Sequence, residues 1–448
     1  MHVNHKEKNK MNSIINKQGT FWFKNDEKNK FNGKIIGENN DYILETNIPG
    51  TLNDQLKHDN IIIGKIDNVP ITIYNCYLTK SYPKLMFIVD YIFENYNYET
   101  GLLFNNAIIK FHNLEEWIGN KTFEVELKDN NKILKSNYNE ISFKQAENSI
   151  NFLLGYSESW KHTSYSLTNK YSVKIEYPKE KIFKHILNDI TLIKKFLTFA
   201  MYTTTEIKSI KCKISETQGQ PIYTHVYSKY FNKKADKITN YDVLIHFNDI
   251  KDKTNIFEKW FEVHKKYKPL FDIYFTNFST NSTLEYEFLS HTQALEAYMR
   301  KNEKFKDYYM DFEEYETIKS ELNDYVKHSA MSENHKNSWE SRIKYGNEVS
   351  LRKRLKDLIA HLDDYEIIKK IAGEKPNKFI DEVIDNRNYY THYDENSDFK
   401  KDIEKLITLN FKLKLLIELC ILNELDFNDE FIENKLKIKY QRRQVPLN

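Results

Sequence analysis

The stretch IDNRNYYTHYD, residues 384–394, decides how the last third of this chain folds. An arginine, an asparagine and a histidine stand around adjacent tyrosines, where a solvated helix face is ordinarily built from Lys and Glu. Upstream, Pro376 suits a first helical position and Ile380, Val383 and Ile384 mark a buried face, so a helix is expected from Pro376 to about residue 393. At 100° per residue Arg387 falls within about 20° of Ile380. Its guanidinium is therefore directed toward packed surface, where it needs an anion or a full set of acceptors. Asn388 and His392, four apart, share a face, whereas Arg387 and His392 diverge by about 140°. Three arrangements could bring them to one phosphate: a helix disturbed between Tyr389 and Thr391, an arginine that reaches around, or a second protomer that completes the site.

The surroundings of this segment are helical in period. Thr283 is a good N-cap for a helix over 284–300, with Leu284, Phe288, Leu295 and Met299 on one stripe. Further helices are expected over 311–328, 338–363 and 397–424, the last apolar enough to be central to a bundle of four or five members. The N-terminal part has a different period. GTFWF, NGKIIG, DYILET, NIIIGKI, VPITIYNCYL, LMFIVDYIF and TFEVEL are short, aromatic or β-branched runs separated by Asn, Asp and Gly, which predicts a sandwich or curled sheet. Helices are expected over 179–201 and 255–275, and TNFSTNST, 276–283, reads as a linker. The fold class expected is α+β, a β-rich N-terminal region followed by an all-α bundle. Its division is residues 1–175 (β-rich), 176–280 (mixed continuation and linker) and 281–448 (helical).

Composition narrows the function. The 448 residues exceed one ordinary domain, and a hydrophobic share of 40% with 14% aromatics suits packed cores rather than disorder. No apolar run reaches the ~18 residues that cross a bilayer, and the start MHVNHKEKNKMNSIINK lacks the apolar core of a signal peptide. A cytoplasmic protein that does not enter a membrane is expected. Cys76, Cys212 and Cys420 lie far apart and form no CxxC pair, which argues against a disulfide framework or a thiolate zinc site. A net charge of +2 implies no polyanion partner. All seven arginines, however, fall between Arg300 and Arg443, and arginine binds phosphate bidentately where lysine does not. Phosphate chemistry is therefore sought beyond residue 280. There is no P-loop, GxGxxG, HExxH or Cys-His cluster, and no metal or other cofactor is expected.

RNYYTH (387–392) matches the pattern of Arg, a polar residue, three further residues and His that marks HEPN-superfamily ribonucleases. Together with ALEAYMR upstream, it resembles the ApeA-like HEPN domain, and GTFWFKNDEKNKFNGKIIGENNDYILET resembles the N-terminal domain of ApeA-type antiphage proteins. Arg354 and His361, in RLKDLIAH, satisfy a longer variant of the signature and read as a helix-surface coincidence. The polar residue after Arg387, the tyrosines and the place before the last long helix favour 387–392. The resemblance implies a HEPN domain that forms a homodimer around the motif, cuts RNA without a metal and acts in abortive infection. The N-terminal region would then sense a phage-derived trigger or restrain the nuclease.

The residue chemistry suits that implication. RNA carries its own nucleophile, the 2′-OH, whose attack leaves a 2′,3′-cyclic phosphate. His392 could act as base or acid, Arg387 could hold the phosphate, and Asn388 could orient either. Tyr389, Tyr390 and Tyr393 could stack bases, with core or dimer packing the competing role. Glu296 could brace Arg387. KLKIKYQRRQ, with Lys439, Arg442 and Arg443, is either a solubilising terminus or a clamp on the RNA backbone. Loop-bearing RNA, tRNA above all, is the expected substrate. Two other classes stay open: a nuclease-inactive HEPN binding module, and an interaction protein whose Arg-His pair supports a helix interface.

Overall fold

A computed structural model describes residues 14–443 other than 25, 39–40, 48–60, 81–83, 99–100, 120–121, 129–130, 137, 239–242, 281 and 394–401. It divides into two compact units, Met1–Phe261 and Glu262–Asn448.

In the first unit, β1 (Gln18–Phe23), β2 (Phe31–Glu38), β3 (Asp41–Thr46), β4 (Ile61–Ile66), β5 (Val69–Lys80) and β6 (Leu85–Glu94) pair antiparallel in the order β6-β3-β2-β1-β4-β5, and β5 returns to β6. The expected curled sheet is thus closed into a six-stranded barrel. Period-two alternation explains which side chains fill it: Tyr42, Leu44 and Thr46 are buried while Asp41, Ile43 and Glu45 are not. Phe21, Phe23, Phe31, Ile35, Ile73 and Phe87 share this core, each contributing about 1.5–3 kcal/mol by burial. Gly64 is needed because the Phe21 ring lies where its Cβ would stand.

One strand carries the fold beyond the barrel. Along one edge β6 pairs first with β3, from Leu85 to Val89, and then with β14 (Gln220–Ser228), from Tyr91 to Glu94. From β14 the sheet continues through β13 (Ile207–Thr217), β7 (Leu103–Phe111), β12 (Ser164–Ile182), β11 (Asn148–Lys161) and β10 (Asn139–Gln145). A separate hairpin, β8 (Phe123–Lys128) with β9 (Asn131–Ser136), stands apart from it. The short α1 (Leu114–Ile118) brings Trp117 to the extension, and α2 (Phe183–Met201) buries Ile186, Ile190, Ile193 and Phe196. There Trp117, Phe152, Phe196, Phe247 and Phe257 form a second aromatic core, with Phe247 on α3 (Phe247–Ile250). A boundary after residue 175 is excluded, because it falls inside β12, whose sheet continues to β14. The helix expected from Lys179 begins at Phe183, since β12 holds 179–182.

The helix expected over 255–275 is two, α4 (Ile256–Lys266) and α5 (Lys268–Ser279), broken before Pro269, which has no N–H to continue a helix. The first half of the expected linker at 276–283 is helix as well, since α5 runs through Ser279; residue 281 lies outside the described residues.

The second unit is helical, as expected, but it begins at Glu262 rather than at residue 281 and has more helices than the four or five expected. Thr283 caps α6 (Leu284–Lys301), its hydroxyl accepting from the Tyr286 N–H at 3.4 Å. There follow α7 (Phe312–His328), α8 (Glu333–Lys344), α9 (Leu351–His361), α10 (Glu366–Ala372), α11 (Pro376–His392), α12 (Ile403–Glu424) and α13 (Asp429–Arg443). The single helix expected over 338–363 is interrupted: Asn347 bonds Met310 through both its oxygen and its amide, and Ser350 caps a new helix. Helices α10 and α13 were not anticipated, and the start of the helix expected from 397 lies outside the described residues. Among the described residues no helix is long and apolar enough to cross a membrane; the N-terminal segment weighed for a signal peptide is described only from residue 14.

Candidate active site

The buried stripe of α11 is Phe379, Ile380, Val383, Asn386 and Tyr390. Most of these recur at three- and four-residue spacing, which places Asn388 and His392 on the opposite side of the helix. Both are exposed, and Arg387, on the flank, is half-buried. The guanidinium thus stops short of the core; Asn386 takes the buried position and donates from its amide to the Glu382 carbonyl at 2.7 Å. The helix is regular through His392, so a disturbance near Tyr389–Thr391 is excluded. Arg387 Nη1 donates to Asn388 Oδ1 at 3.1 Å, which turns it toward the exposed face. The His392 side chain makes no hydrogen bond or ion pair with the described residues. The helix stops at Tyr393, a non-glycine residue at φ 49°, ψ 43°, whose N–H donates to the Tyr389 carbonyl at 2.6 Å. The left-handed region costs an L-residue about 1–2 kcal/mol.

The three tyrosines have separate fates. Tyr390 is 5% exposed and its ring meets Phe288 of α6 at 6.4 Å, so it is core and cannot stack a base. Tyr393 is 56% exposed and Tyr389 half-buried, their rings 5.9 Å apart. Tyr393 thus presents most of its ring to solvent.

Other candidates are redirected. Glu296 does not brace Arg387: its Oε1 accepts from Arg300 Nε and Nη2 at 3.2 and 3.1 Å, one helical turn on, and Arg300 also reaches Glu348. Lys439 does not clamp RNA from the tail, because its Nζ lies 2.5 Å from Oε2 of Glu418, a residue with no exposed surface. Lys437 pairs with Glu366 and Glu433, and Lys435 sits over the Phe431 ring. Arg442 is exposed at the end of α13, and the Arg443 side chain lies outside the described residues. Arg354 is no surface residue: it is 1% exposed, ion-paired with Asp307 and donating to the Val349, Lys306 and Asp307 carbonyls. Its companion His361 faces Lys304. The alternative signature is thereby taken up in structure. Among the described residues no three His, Cys, Asp or Glu side chains are grouped to hold a metal ion.

Two buried polar networks escaped sequence reasoning, although a polar residue inside the apolar run of 403–424 was a usable signal. His291 of α6, 2% exposed, meets Asn410 of α12 through Nδ1 at 2.5 Å and Asn277 of α5 through Nε2 at 3.2 Å, while Asn410 donates to Glu287 at 3.0 Å. At the other end of α12, Glu424 accepts from Tyr267, Tyr298 and Asn302 at 2.9–3.0 Å. Burial pushes the His291 imidazole down to about 4, the Asn410 bond opposing this in part. A depressed folded pKa means that between about pH 6.5 and 4 the unfolded chain binds more protons than the folded one. Stability from His291 is therefore complete above pH 6.5 and lost as pH falls toward 4, by on the order of 3 kcal/mol. His291→Gln is expected to flatten that part of the stability profile in denaturant titrations at several pH values. An unchanged slope would show that folding does not depress the His291 pKa.

The first unit thus carries a barrel, and in the helical second unit α11 ends in Arg-Asn, three residues and His. Residues 16–260 match the family model for ApeA N-terminal domain 1, and residues 289–431 match that for the Apea-like HEPN domain. The chain belongs to the ApeA-like HEPN family of antiphage proteins. No curated protein and no solved structure matches it significantly.

Proposed function

We propose that the protein is a metal-independent endoribonuclease of antiphage defence whose catalytic groups are Arg387, Asn388 and His392. The observation that carries this reading is the placing of Asn388 and His392 one turn apart on the exposed face of α11, with Arg387 drawn toward them by its bond to Asn388. Folding makes no visible use of these groups: Asn386 and Tyr390 hold the buried stripe in their stead. HEPN membership supports it, since such domains are usually ribonucleases.

In this mechanism one His392 takes the proton of the ribose 2′-OH. The 2′-oxygen bonds to the adjacent phosphorus, and the bond to the 5′-oxygen of the next nucleotide breaks. A second imidazole protonates that oxygen, leaving a 2′,3′-cyclic phosphate and a 5′-OH. Arg387 binds the non-bridging phosphate oxygens, where charge builds up in the transition state. Tyr389 and Tyr393 offer stacking surfaces to bases splayed from a loop, as in tRNA. The N-terminal unit senses infection or restrains cleavage.

One protomer presents a single His392, so the acid and the base come from two copies of α11 about a two-fold axis. When His392→Ala protomers are exchanged into wild type, activity should fall faster than the wild-type fraction. Strict proportionality, or a fully active monomer in sedimentation, would refute the shared site.

Substrate chemistry gives the direct test. An RNA with a single 2′-deoxy sugar at the cut site should resist cleavage, and the cut ends of the all-ribose substrate should carry cyclic phosphate. Equal cutting of the deoxy substrate would rule the mechanism out. Should purified protein bind RNA without cutting it, the nuclease-inactive binding module becomes the better reading.

A further inference from the structure

Between α6 and α9 the chain forms a helical hairpin, α7 and α8, and each of these helices finds its main packing partner in the other. Its base is fixed. Tyr308 bridges to Glu348, and the Tyr309 N–H donates to the Asn347 carbonyl at 3.0 Å. The Tyr315 hydroxyl, near the start of α7, donates to the Ile343 carbonyl near the end of α8, so the two helices run antiparallel. Beyond this base, helices of 17 and 12 residues have only Tyr315, Val326 and Ile343 buried. Phe312 is 74% exposed and Tyr325 76%, with Leu322 and Trp339 near half. Large apolar side chains so exposed and so close together mark an interaction site.

Helix geometry gathers them. Ile318, Leu322 and Tyr325 follow one another at spacings of four and three, which keeps them on one strip of α7. Leu322 stands four residues before the buried Val326, and Trp339 four before the buried Ile343, an offset of about −40° in each helix. In an antiparallel pair, equal offsets open on the same side. Ile318, Leu322, Tyr325 and Trp339 thus line one groove between α7 and α8. Its α7 wall is acidic: from Asp311 to His328 there are six carboxylates and two lysines, and of the six only Glu316 has an ion-pair partner among the described residues. Glu314 stands four before Ile318 and Glu321 four before Tyr325, so both border the groove. On the α8 wall the Arg342 guanidinium lies over the Trp339 ring at 5.4 Å, which shows how a cation is held there.

We propose that this groove takes a basic amphipathic helix of a partner protein, which completes a three-helix bundle with α7 and α8. The partner's apolar stripe packs on Ile318, Leu322, Tyr325 and Trp339, and its lysines and arginines meet the α7 carboxylates. The sign of the charge selects the occupant, since an acidic rim repels RNA and anionic lipid. The site does not depend on the nuclease reading. It gives the second unit, which carries α11, a protein-binding surface of its own.

The probe is a fluorescent synthetic peptide of leucine and lysine at helical spacing, about five turns long, with a leucine–glutamate peptide of the same pattern as control. Anisotropy titration with the full chain is expected to show saturable binding of the lysine peptide below about 100 µM and none of the glutamate peptide. Leu322→Ser with Tyr325→Ser should weaken binding by roughly tenfold or more. Glu314→Lys with Glu321→Lys should exchange the preference, so that the glutamate peptide binds instead. Glu404→Lys with Glu430→Lys, the same charge change at exposed positions of α12 and α13, should leave affinity unchanged. All four groove residues substituted are exposed, so denaturant midpoints should not move. The proposal is overturned if the lysine peptide does not bind, if either groove variant binds it like wild type, or if RNA or anionic vesicles fill the groove in its place. It also fails if the groove variants abolish self-association of the chain in sedimentation, which would make the groove a contact between copies.

Discussion

Replacing His392 by alanine is expected to lower RNA cleavage by about 100- to 10,000-fold, the range that a general acid or base supplies, with stability changed by less than about 0.5 kcal/mol. The separation of the two effects follows from position. His392 is exposed at the last residue of α11 and has no hydrogen-bond partner among the described residues, so the fold loses nothing with it. Arg387→Lys should also be strongly impaired, because a point charge cannot reproduce the guanidinium fork on a phosphate. Asn388→Ala should fall between the two and wild type, since it removes the acceptor that turns Arg387. Rates on a defined RNA, measured beside denaturant midpoints, check all three. A His392→Ala protein that cuts at the wild-type rate would end the nuclease assignment to this motif.

The second large effect concerns stability. Lys439→Ala should destabilise the second unit by about 3–5 kcal/mol, because it strands a buried carboxylate. Glu418 is wholly buried in α12; its Oε1 accepts from the Tyr274 hydroxyl at 3.0 Å and its Oε2 from Lys439. Pairing Lys439→Met with Glu418→Leu removes both charges and should restore most of the loss. Urea unfolding of the two proteins measures the difference. Were Lys439 a phosphate contact instead, its loss would leave the midpoint alone and reduce the salt dependence of RNA binding by about one charge.

The parts of this protein legible in the sequence are those set by neighbours along the chain. DYILET alternates, and Tyr42, Leu44 and Thr46 point inward accordingly; Thr283 caps α6 as its place before an apolar stripe implies; Arg387, Asn388 and His392 lie within six residues, so their relation around α11 follows from helix geometry alone. What was illegible depends on distant partners. Closure of the barrel needs β5 and β3 on opposite edges of β6, which no local pattern encodes. The fates of Lys439 and Glu296 were misjudged for the same reason: a solvent-facing cation and a buried ion-pair partner have the same residue type, and only the approach of α12 to α13, or the i,i+4 reach of Arg300, decides between them. Tyr390 differs from Tyr389 only in facing Phe288. The break at Gly346–Asn347 was masked by helix-compatible residues on either side.

The strand shared by barrel and extension also governs the order in which the protein can be made. On the ribosome β6 can close the barrel as soon as it emerges, yet the Tyr91–Glu94 part of its edge must wait for β14, whose Thr224 bonds Glu94 from 130 positions away. At about 5–20 residues per second that is a delay of roughly 7–25 s with unpaired backbone groups in the open. The first unit is therefore a single act of assembly that finishes only after residue 228, and a chain cut between barrel and extension would keep an adhesive edge. Translation of α11 comes later still. Each newborn molecule thus has time to complete its N-terminal unit before its own Arg387 and His392 have been synthesised.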